Sequence, residues 1–292
     1  MPCMNMRTLT ALAAATTLAL GLTACGDGGG DTAEPAGGGD AAAEETGGDA
    51  APAELDLVTD GTLTVCSDVP YPPFEDFDEG SEIGFTGFDI DIVHAIAQGL
   101  DLELEVKDSS FDGLQSGLAL NAGQCDIAAS AMTITEDRKK AIDFSDGYHD
   151  SQQSLLVAEG SDITGIGDLE GKKVGVQQGT TGKTYAEENA TGAELVSFPS
   201  DAEMWQAIQS GQVEALLQDL PVNLEHTKGG DFTIVEEYST DELYGLAMKK
   251  GNTALVDAVN GQLQEMRDDG TYDELYNSYF SEDAVDDAAT TS

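Results

Sequence analysis

Apolar positions along this chain change period repeatedly, and the changes outline its elements. Leu63-Thr64-Val65-Cys66 is a short apolar run that predicts a buried strand. Phe88, Ile92, Ile96 and Leu100 recur every four residues, which predicts a helix over 89–99 with one apolar face. Residues 102–106 alternate and read as a strand, 111–120 as a helix, and the short run 126–129 as a second buried strand. The second half repeats the scheme: strand 172–176, helix Thr181–Asn189, helix 203–209, strand 213–217 and strand 245–248. Val256, Val259, Leu263 and Met266 mark a helix that Gly270 ends, and Thr271–Phe280 closes the pattern as a short helix. Strands alternating with amphipathic helices argue an α/β fold with parallel strands.

Two stretches echo each other. Gly123-Gln124-Cys125-Asp126-Ile127-Ala128-Ala129-Ser130 parallels Gly211-Gln212-Val213-Glu214-Ala215-Leu216-Leu217-Gln218-Asp219. Each stops a helix with glycine, runs a buried strand and ends in polar residues. That places polar groups at the carboxyl ends of strands, where open α/β sheets bind ligands. The first echo leads into Ser130-Ala131-Met132-Thr133-Ile134-Thr135-Glu136-Asp137-Arg138. Thr133 and Glu136 match a capping box, and Thr135 also suits a helix N-cap. A guanidinium beside hydroxyls and free N–H groups can grip a small carboxylate. The plainer use of Arg138 is a surface ion pair.

Ahead of the folded part, Arg7 is followed by an apolar stretch over 9–22 and then Leu22-Thr23-Ala24-Cys25-Gly26. This resembles a bacterial lipobox: a signal peptide over 1–24 with Cys25 lipidated after cleavage, the alternative being a plain secretory signal. Residues 25–56 are nearly all Gly, Ala, Asp, Glu, Thr and Pro, a flexible acidic tether. Residues 282–292 read as a disordered tail.

The 292 residues carry a formal charge of −44. Nothing in such a chain neutralises phosphates, so nucleic acid is disfavoured as a partner. His94, His149 and His226 are scattered, no C-x-x-C occurs, and no metal or cofactor is implied. Gln178-Gly179-Thr180-Thr181-Gly182-Lys183-Thr184 approaches a nucleotide-binding loop, but Gln177 stands where its first glycine belongs. Nucleotide hydrolysis is therefore rejected.

The Ser130–Arg138 motif, S-x-x-T-x-T-x-x-R, resembles the family 3 extracellular solute-binding proteins, the amino-acid receptors of ABC importers. Tyr71-Pro72-Pro73-Phe74, Gly87-Phe88-Asp89-Ile90-Asp91, Phe111-Asp112-Gly113-Leu114, Gly171-Lys172-Lys173-Val174-Gly175-Val176 and Asp269-Gly270-Thr271-Tyr272 carry the resemblance along the rest of the chain. It implies the type II periplasmic-binding-protein-like fold: two α/β lobes joined by two hinge strands, here near 151–155 and 240–245. Lobe 1 would then comprise 57–152 plus 243–281, and lobe 2 153–242. Cys66 and Cys125 lie at edges of predicted strands in the same lobe of an exported protein; a disulfide is expected, the alternative being two buried thiols.

The resemblance also distributes roles. Arg138, Thr133 and Thr181 would hold a ligand carboxylate, the last at a helix N-terminus. Asp219, the Ser130 carbonyl and the Thr133 hydroxyl would hold its ammonium. Tyr71 and Phe111 would sandwich the ligand, with Phe74 a further aromatic wall or simple packing. Asp68, Gln177 and Gln218 match positions that touch the ligand side chain. Glutamine-binding relatives usually carry lysine at the position of Gln177 and histidine at that of Gln218.

The function implied is a lipid-anchored, monomeric receptor on the outer face of the cytoplasmic membrane. It would capture a polar L-amino acid, glutamine first and arginine or another basic residue second, and pass it to an ABC permease. Alternatives are a dehydratase-type enzyme on the same scaffold and a ligand-sensing receptor.

Overall fold

The computed structural model describes residues 55–281. The expected signal peptide (1–24), lipidated Cys25, tail (282–292) and nearly all of the tether lie outside them. Leu55, inside the expected tether, packs against the first hydrophobic core. The first lobe begins with β1 (Thr62–Ser67), a small hairpin of β2 (Asp76–Phe77) and β3 (Phe85–Thr86), α1 (Phe88–Gly99) and β4 (Glu103–Asp108). It continues through α2 (Phe111–Gln115), α3 (Leu118–Asn121), β5 (Ile127–Ala128) and β6 (Ile142–Phe144). β7 (His149–Ala158) leads into the second lobe, which holds β8 (Lys173–Gln177), α4 (Thr181–Asn189), β9 (Glu194–Phe198) and α5 (Asp201–Gln209). There follow β10 (Ala215–Asp219), α6 (Leu220–Thr227) and β11 (Phe232–Tyr244), and then β12 (Ala247–Lys249), α7 (Thr253–Asp269) and α8 (Thr271–Phe280).

Two five-stranded sheets result, ordered β4-β1-β5-β12-β6 and β11-β7-β10-β8-β9. The parallel pairing expected from the sequence holds for β4-β1-β5 and for β10-β8-β9. The remaining pairs are antiparallel, so both sheets are mixed. The reason is topological: β7 carries the chain into the second sheet and β11 carries it back, running antiparallel along it. These long paired strands are the two crossings. Their register slips between Tyr238 and Glu242, and Asp241 there takes a positive φ of 51°. Such a bulge re-aims the side chains beside it.

Each sheet is covered on both faces. Phe88, Ile92 and Ile96 of α1 are fully buried with Val259 and Leu263 of α7. Burying each such side chain stabilises by roughly 1.5–3 kcal/mol. Cys66 and Cys125 are joined in a disulfide, with Cα atoms 5.8 Å apart, inside a second cluster with Leu114, Leu120 and Ile142.

The helix expected over 111–120 is broken into α2 and α3. Gly117 sits between them at φ 74°, and a Cβ there would lie 2.7 Å from Ile142 Cγ2. The chain must turn left-handed to let β6 pack, which only glycine does cheaply. The capping box expected at Thr133 and Glu136 is also absent. Thr135 Oγ1 instead accepts from the Arg138 N–H at 3.2 Å, opening a short 3₁₀ turn, and Glu136 pairs with Lys139 at the surface.

The loop that carries Tyr71 is tied to α1. The Phe88 and Asp89 N–H groups donate to the Pro73 and Phe74 carbonyls, both at 2.9 Å. Those free helix-end donors thus hold the loop. Gly87 makes the approach possible: its φ is 123°, and a Cβ would fall 2.2 Å from the Phe74 oxygen. Gly87→Ala is expected to lower unfolding free energy by about 1–3 kcal/mol in urea denaturation. A wild-type midpoint would show that this approach is not needed.

Candidate functional site

Strand ends from both sheets meet across a cleft. Asp68 follows β1, Ser130 to Thr133 follow β5, Thr180 and Thr181 follow β8, and Asp219 ends β10. They line one small cavity between the lobes, together with Tyr71, Phe111, Ala131, Arg138 and Gln177. The structure therefore brings together nine of the residues singled out from the sequence: Asp68, Tyr71, Phe111, Ser130, Thr133, Arg138, Gln177, Thr181 and Asp219.

Phe74 and Gln218 do not line it. Phe74 is fully buried in the core, edge-on to His149 and Tyr244. It is packing, three residues beyond Tyr71 in the same loop. Gln218 precedes Asp219 on β10, and neighbouring strand residues face opposite sides. Its amide donates to Asn223 Oδ1 at 3.0 Å, away from the cleft.

Arg138 is buried, and its guanidinium donates to the Thr133 carbonyl at 2.7 Å and the Gly179 carbonyl at 3.0 Å. It also lies 5.2 Å from the Phe111 ring centre, within cation–π range. Among the described residues it makes no ion pair, so the surface-pair use of this arginine does not apply. Burial pulls its pKa down to about 10, which leaves it charged at neutral pH. A guanidinium carries five N–H donors, so these two bonds leave donors over for an anion. Beside it, α4 begins at Thr181, with the Thr180 hydroxyl accepting from the Lys183 N–H at 3.1 Å.

The carboxylates face neutral donors. Asp219 accepts from the Tyr71 hydroxyl at 2.8 Å and from Gln153 Nε2 at 2.5 Å. Asp68 accepts from Gln177 Nε2 at 2.6 Å. The Tyr71–Asp219 and Asp68–Gln177 bonds each link one lobe to the other. Burial, aided by the Glu242 charge, pushes the Asp219 pKa up to about 7. Burial likewise raises Asp68 to about 7, against the pull of the Gln177 bond.

Several functional groups were not legible in the sequence. Glu242, at the bulge of β11, accepts from the Thr133 hydroxyl at 2.5 Å and the Thr181 hydroxyl at 2.7 Å. Gln153 of β7 bridges Asp219 and Glu242 with one amide nitrogen. Behind the cleft, Glu75 accepts from the Ser130 hydroxyl at 2.5 Å, and Asp89 accepts from the Ala131 N–H at 2.8 Å. Only the strand alternation around 238–242 could have flagged Glu242, and the bulge disrupts it. Among the described residues no cluster of three or more His, Cys, Asp or Glu is placed to hold a metal.

Residues 63–282 match the family described as bacterial extracellular solute-binding proteins, family 3. The chain is 32% identical to a probable histidine-binding protein of Neisseria gonorrhoeae, covering 96% of this chain and 98% of that one. It is 38% identical to the ABC transporter glutamine-binding protein GlnH of Bacillus subtilis (strain 168), covering 68% and 74%. Among solved structures, an ancestral arginine-binding protein bound to glutamine is 40% identical, with a TM-score of 0.72 over 77% of this chain and all of that one.

The Asp219 carboxyl has an ordinary value of 3.8 and a folded value near 7. Between those values the folded state keeps a proton that the unfolded chain has released. Its contribution to stability is full below about pH 4 and lost as pH rises through 7. Asp219→Asn is therefore expected to flatten the fall in unfolding free energy between pH 5 and 7 by roughly 1.4 kcal/mol per unit. Urea denaturation at pH 5, 6 and 7 measures this. An unchanged slope would mean that Asp219 is already ionised.

Proposed function

From the premise that the chain belongs to the bacterial extracellular solute-binding proteins, family 3, we propose that it is the receptor of an amino-acid ABC importer. It captures a polar L-amino acid between its lobes and hands it to a permease. The observation that carries this reading is the interlobe cleft, whose wall pairs one buried guanidinium with buried acids, the two charges that a zwitterion needs. The ligand carboxylate meets Arg138 and the N-terminus of α4, which carries Thr181. The ammonium meets Asp219, the Ser130 carbonyl and Thr133. Tyr71 and Phe111 flank the side chain, which reaches Asp68 and Gln177.

Glutamine suits Asp68 and Gln177 because an amide both donates and accepts. Arginine is the second choice, with Asp68 as counter-ion. An acidic side chain would meet Asp68 with like charge and ranks well behind. We place the receptor, as a monomer, on the outer face of the cytoplasmic membrane, held by a lipid on Cys25. No metal or cofactor takes part. An acid–base enzyme is the second reading, because Asp68 and Asp219 both titrate near 7. Their bonds to Gln177, Tyr71 and Gln153 favour the binding role.

A thermal-shift screen of the twenty amino acids tests the reading, since a ligand that binds the folded state raises its melting temperature. Glutamine is expected to give the largest shift. The absence of any shift, or turnover of a bound compound, would overturn the receptor reading. Arg138→Ala and Asp219→Ala should each weaken binding by about 100-fold or more in calorimetry, because each leaves a buried ligand charge unpaired. Asp68→Asn should weaken arginine binding far more than glutamine binding; equal losses would remove Asp68 from side-chain choice. Cys25→Ser should move the protein from the membrane fraction to the medium.

A further inference from the structure

Glu242 is a buried carboxylate that the proposed ligand contacts leave unused. It projects from the bulged end of β11, where the chain returns from the second lobe to the first. All its hydrogen bonds come from neutral donors. Oε1 accepts from Gln153 Nε2 at 2.9 Å and from the Thr240 hydroxyl at 2.9 Å. Oε2 accepts from the Thr133 hydroxyl at 2.5 Å and the Thr181 hydroxyl at 2.7 Å. One oxygen on a hinge strand thus gathers a hydroxyl from each lobe, and the two hydroxyl oxygens lie 3.5 Å apart.

A hydroxyl has one proton to give and two lone pairs to accept with. With two neighbours donating to each of its oxygens, the Glu242 carboxylate only accepts here. While Glu242 holds both hydroxyl protons, neither Thr133 Oγ1 nor Thr181 Oγ1 can donate to a ligand. Thr133 Oγ1, on the cavity wall, is left as an acceptor. An acceptor suits an ammonium and repels a carboxylate. The ligand carboxylate is then left to the Arg138 guanidinium and to backbone N–H groups.

We propose that Glu242 is a positioning residue that fixes the direction of the Thr133 and Thr181 hydroxyls. It makes Thr133 an ammonium acceptor and joins the lobes through one shared oxygen. The proposal rests on the amino-acid-receptor reading of the same cavity. Gln153 extends the arrangement, since its amide nitrogen ties Glu242 to Asp219. The ammonium side of the cavity is therefore ordered from both hinge strands, β7 and β11.

The test compares wild type, Glu242→Gln and Glu242→Leu by calorimetry on the full chain. The probes are L-glutamine and 4-carbamoylbutanoate, the same molecule with hydrogen in place of the ammonium. Thermal melts confirm that each variant is folded. Glu242→Leu frees the hydroxyls to rotate. It should weaken glutamine binding by about tenfold or more, the scale of a hydrogen bond to a charged group. Binding of the deaminated probe should change far less, so the preference for the ammonium shrinks. Glu242→Gln keeps one carbonyl oxygen to accept from the hydroxyls and should fall between wild type and Glu242→Leu. An equal loss for both probes would make Glu242 a merely structural residue and overturn the proposal. So would Glu242→Gln as damaging as Glu242→Leu, since charge rather than hydroxyl direction would then matter. If wild type binds glutamine no better than the deaminated probe, the receptor reading itself fails, and this proposal with it.

Discussion

A carboxylate removed from water loses hydration worth several kcal/mol unless something replaces it. This cleft buries Asp68, Asp219 and Glu242 around a single buried guanidinium. Most of the arrangement follows from that imbalance. Each acid is given neutral donors: Gln177 for Asp68, Tyr71 and Gln153 for Asp219, and Thr133, Thr181, Thr240 and Gln153 for Glu242. Neutral donors replace water only in part, and the raised pKa values of Asp68 and Asp219 record the shortfall. A ligand that brings a positive group and a carboxylate would relieve it twice, meeting Asp219 with one end and Arg138 with the other.

The same donors bring the lobes together. Tyr71 to Asp219, Gln177 to Asp68, Arg138 to the Gly179 carbonyl, and Thr133 and Thr181 on Glu242 all link the two sides. All of these groups except Glu242 and the Gly179 carbonyl would also touch or flank a ligand. Closure and ligand contact therefore share one set of atoms, and a ligand that fits must exchange with bonds between the lobes rather than add to them. The parts that need no adjustment are built rigidly. α1, α7 and α8 pack Phe88 among aromatic rings, and the disulfide sits beneath β1 and β5. The irregular backbone, the Tyr238–Glu242 bulge and Asp241 at positive φ, lies on the crossing strand.

What the sequence showed depends on how local the cause is. The four-residue spacing of Phe88, Ile92 and Ile96 follows from one helix face, and α1 was legible to within a residue. Thr271–Phe280 was legible because Gly270 ends one helix in the left-handed region and the next starts there. Arg138 and Asp219 each follow an apolar run, where ligands gather at strand ends, but the family resemblance was needed to single them out from surface charges. The split of α2 from α3 could not, because it answers to Ile142, a residue from another strand. β6 is three residues long, too short for a period to form, whereas the apolar run over 126–129 did mark β5. Gln218 and Asp219 look equivalent in a polar strand end, and only the pleat separates the face that meets the cleft from the one that meets Asn223. Glu242 was hidden because a bulge reassigns its face, and bulges leave no regular mark in a sequence.

The charge of the whole molecule does not choose the ligand. The formal charge is −44, but most described lysines pair with a neighbouring acid at the surface, Lys139 with Glu136 and Lys172 with Glu214 among them. Such exposed pairs are worth little. At physiological ionic strength the field of surface acids fades over about 8 Å. A cationic amino acid would be drawn toward this surface and an anionic one held off, which affects encounter more than grip. Discrimination has to happen where screening fails, inside the cavity. There Arg138 answers one negative group, and Asp68 and Asp219 remain for whatever else enters. A second negative charge on the ligand would find no free cation on the cavity wall, whereas an amide or a positive group would find acceptors already in place.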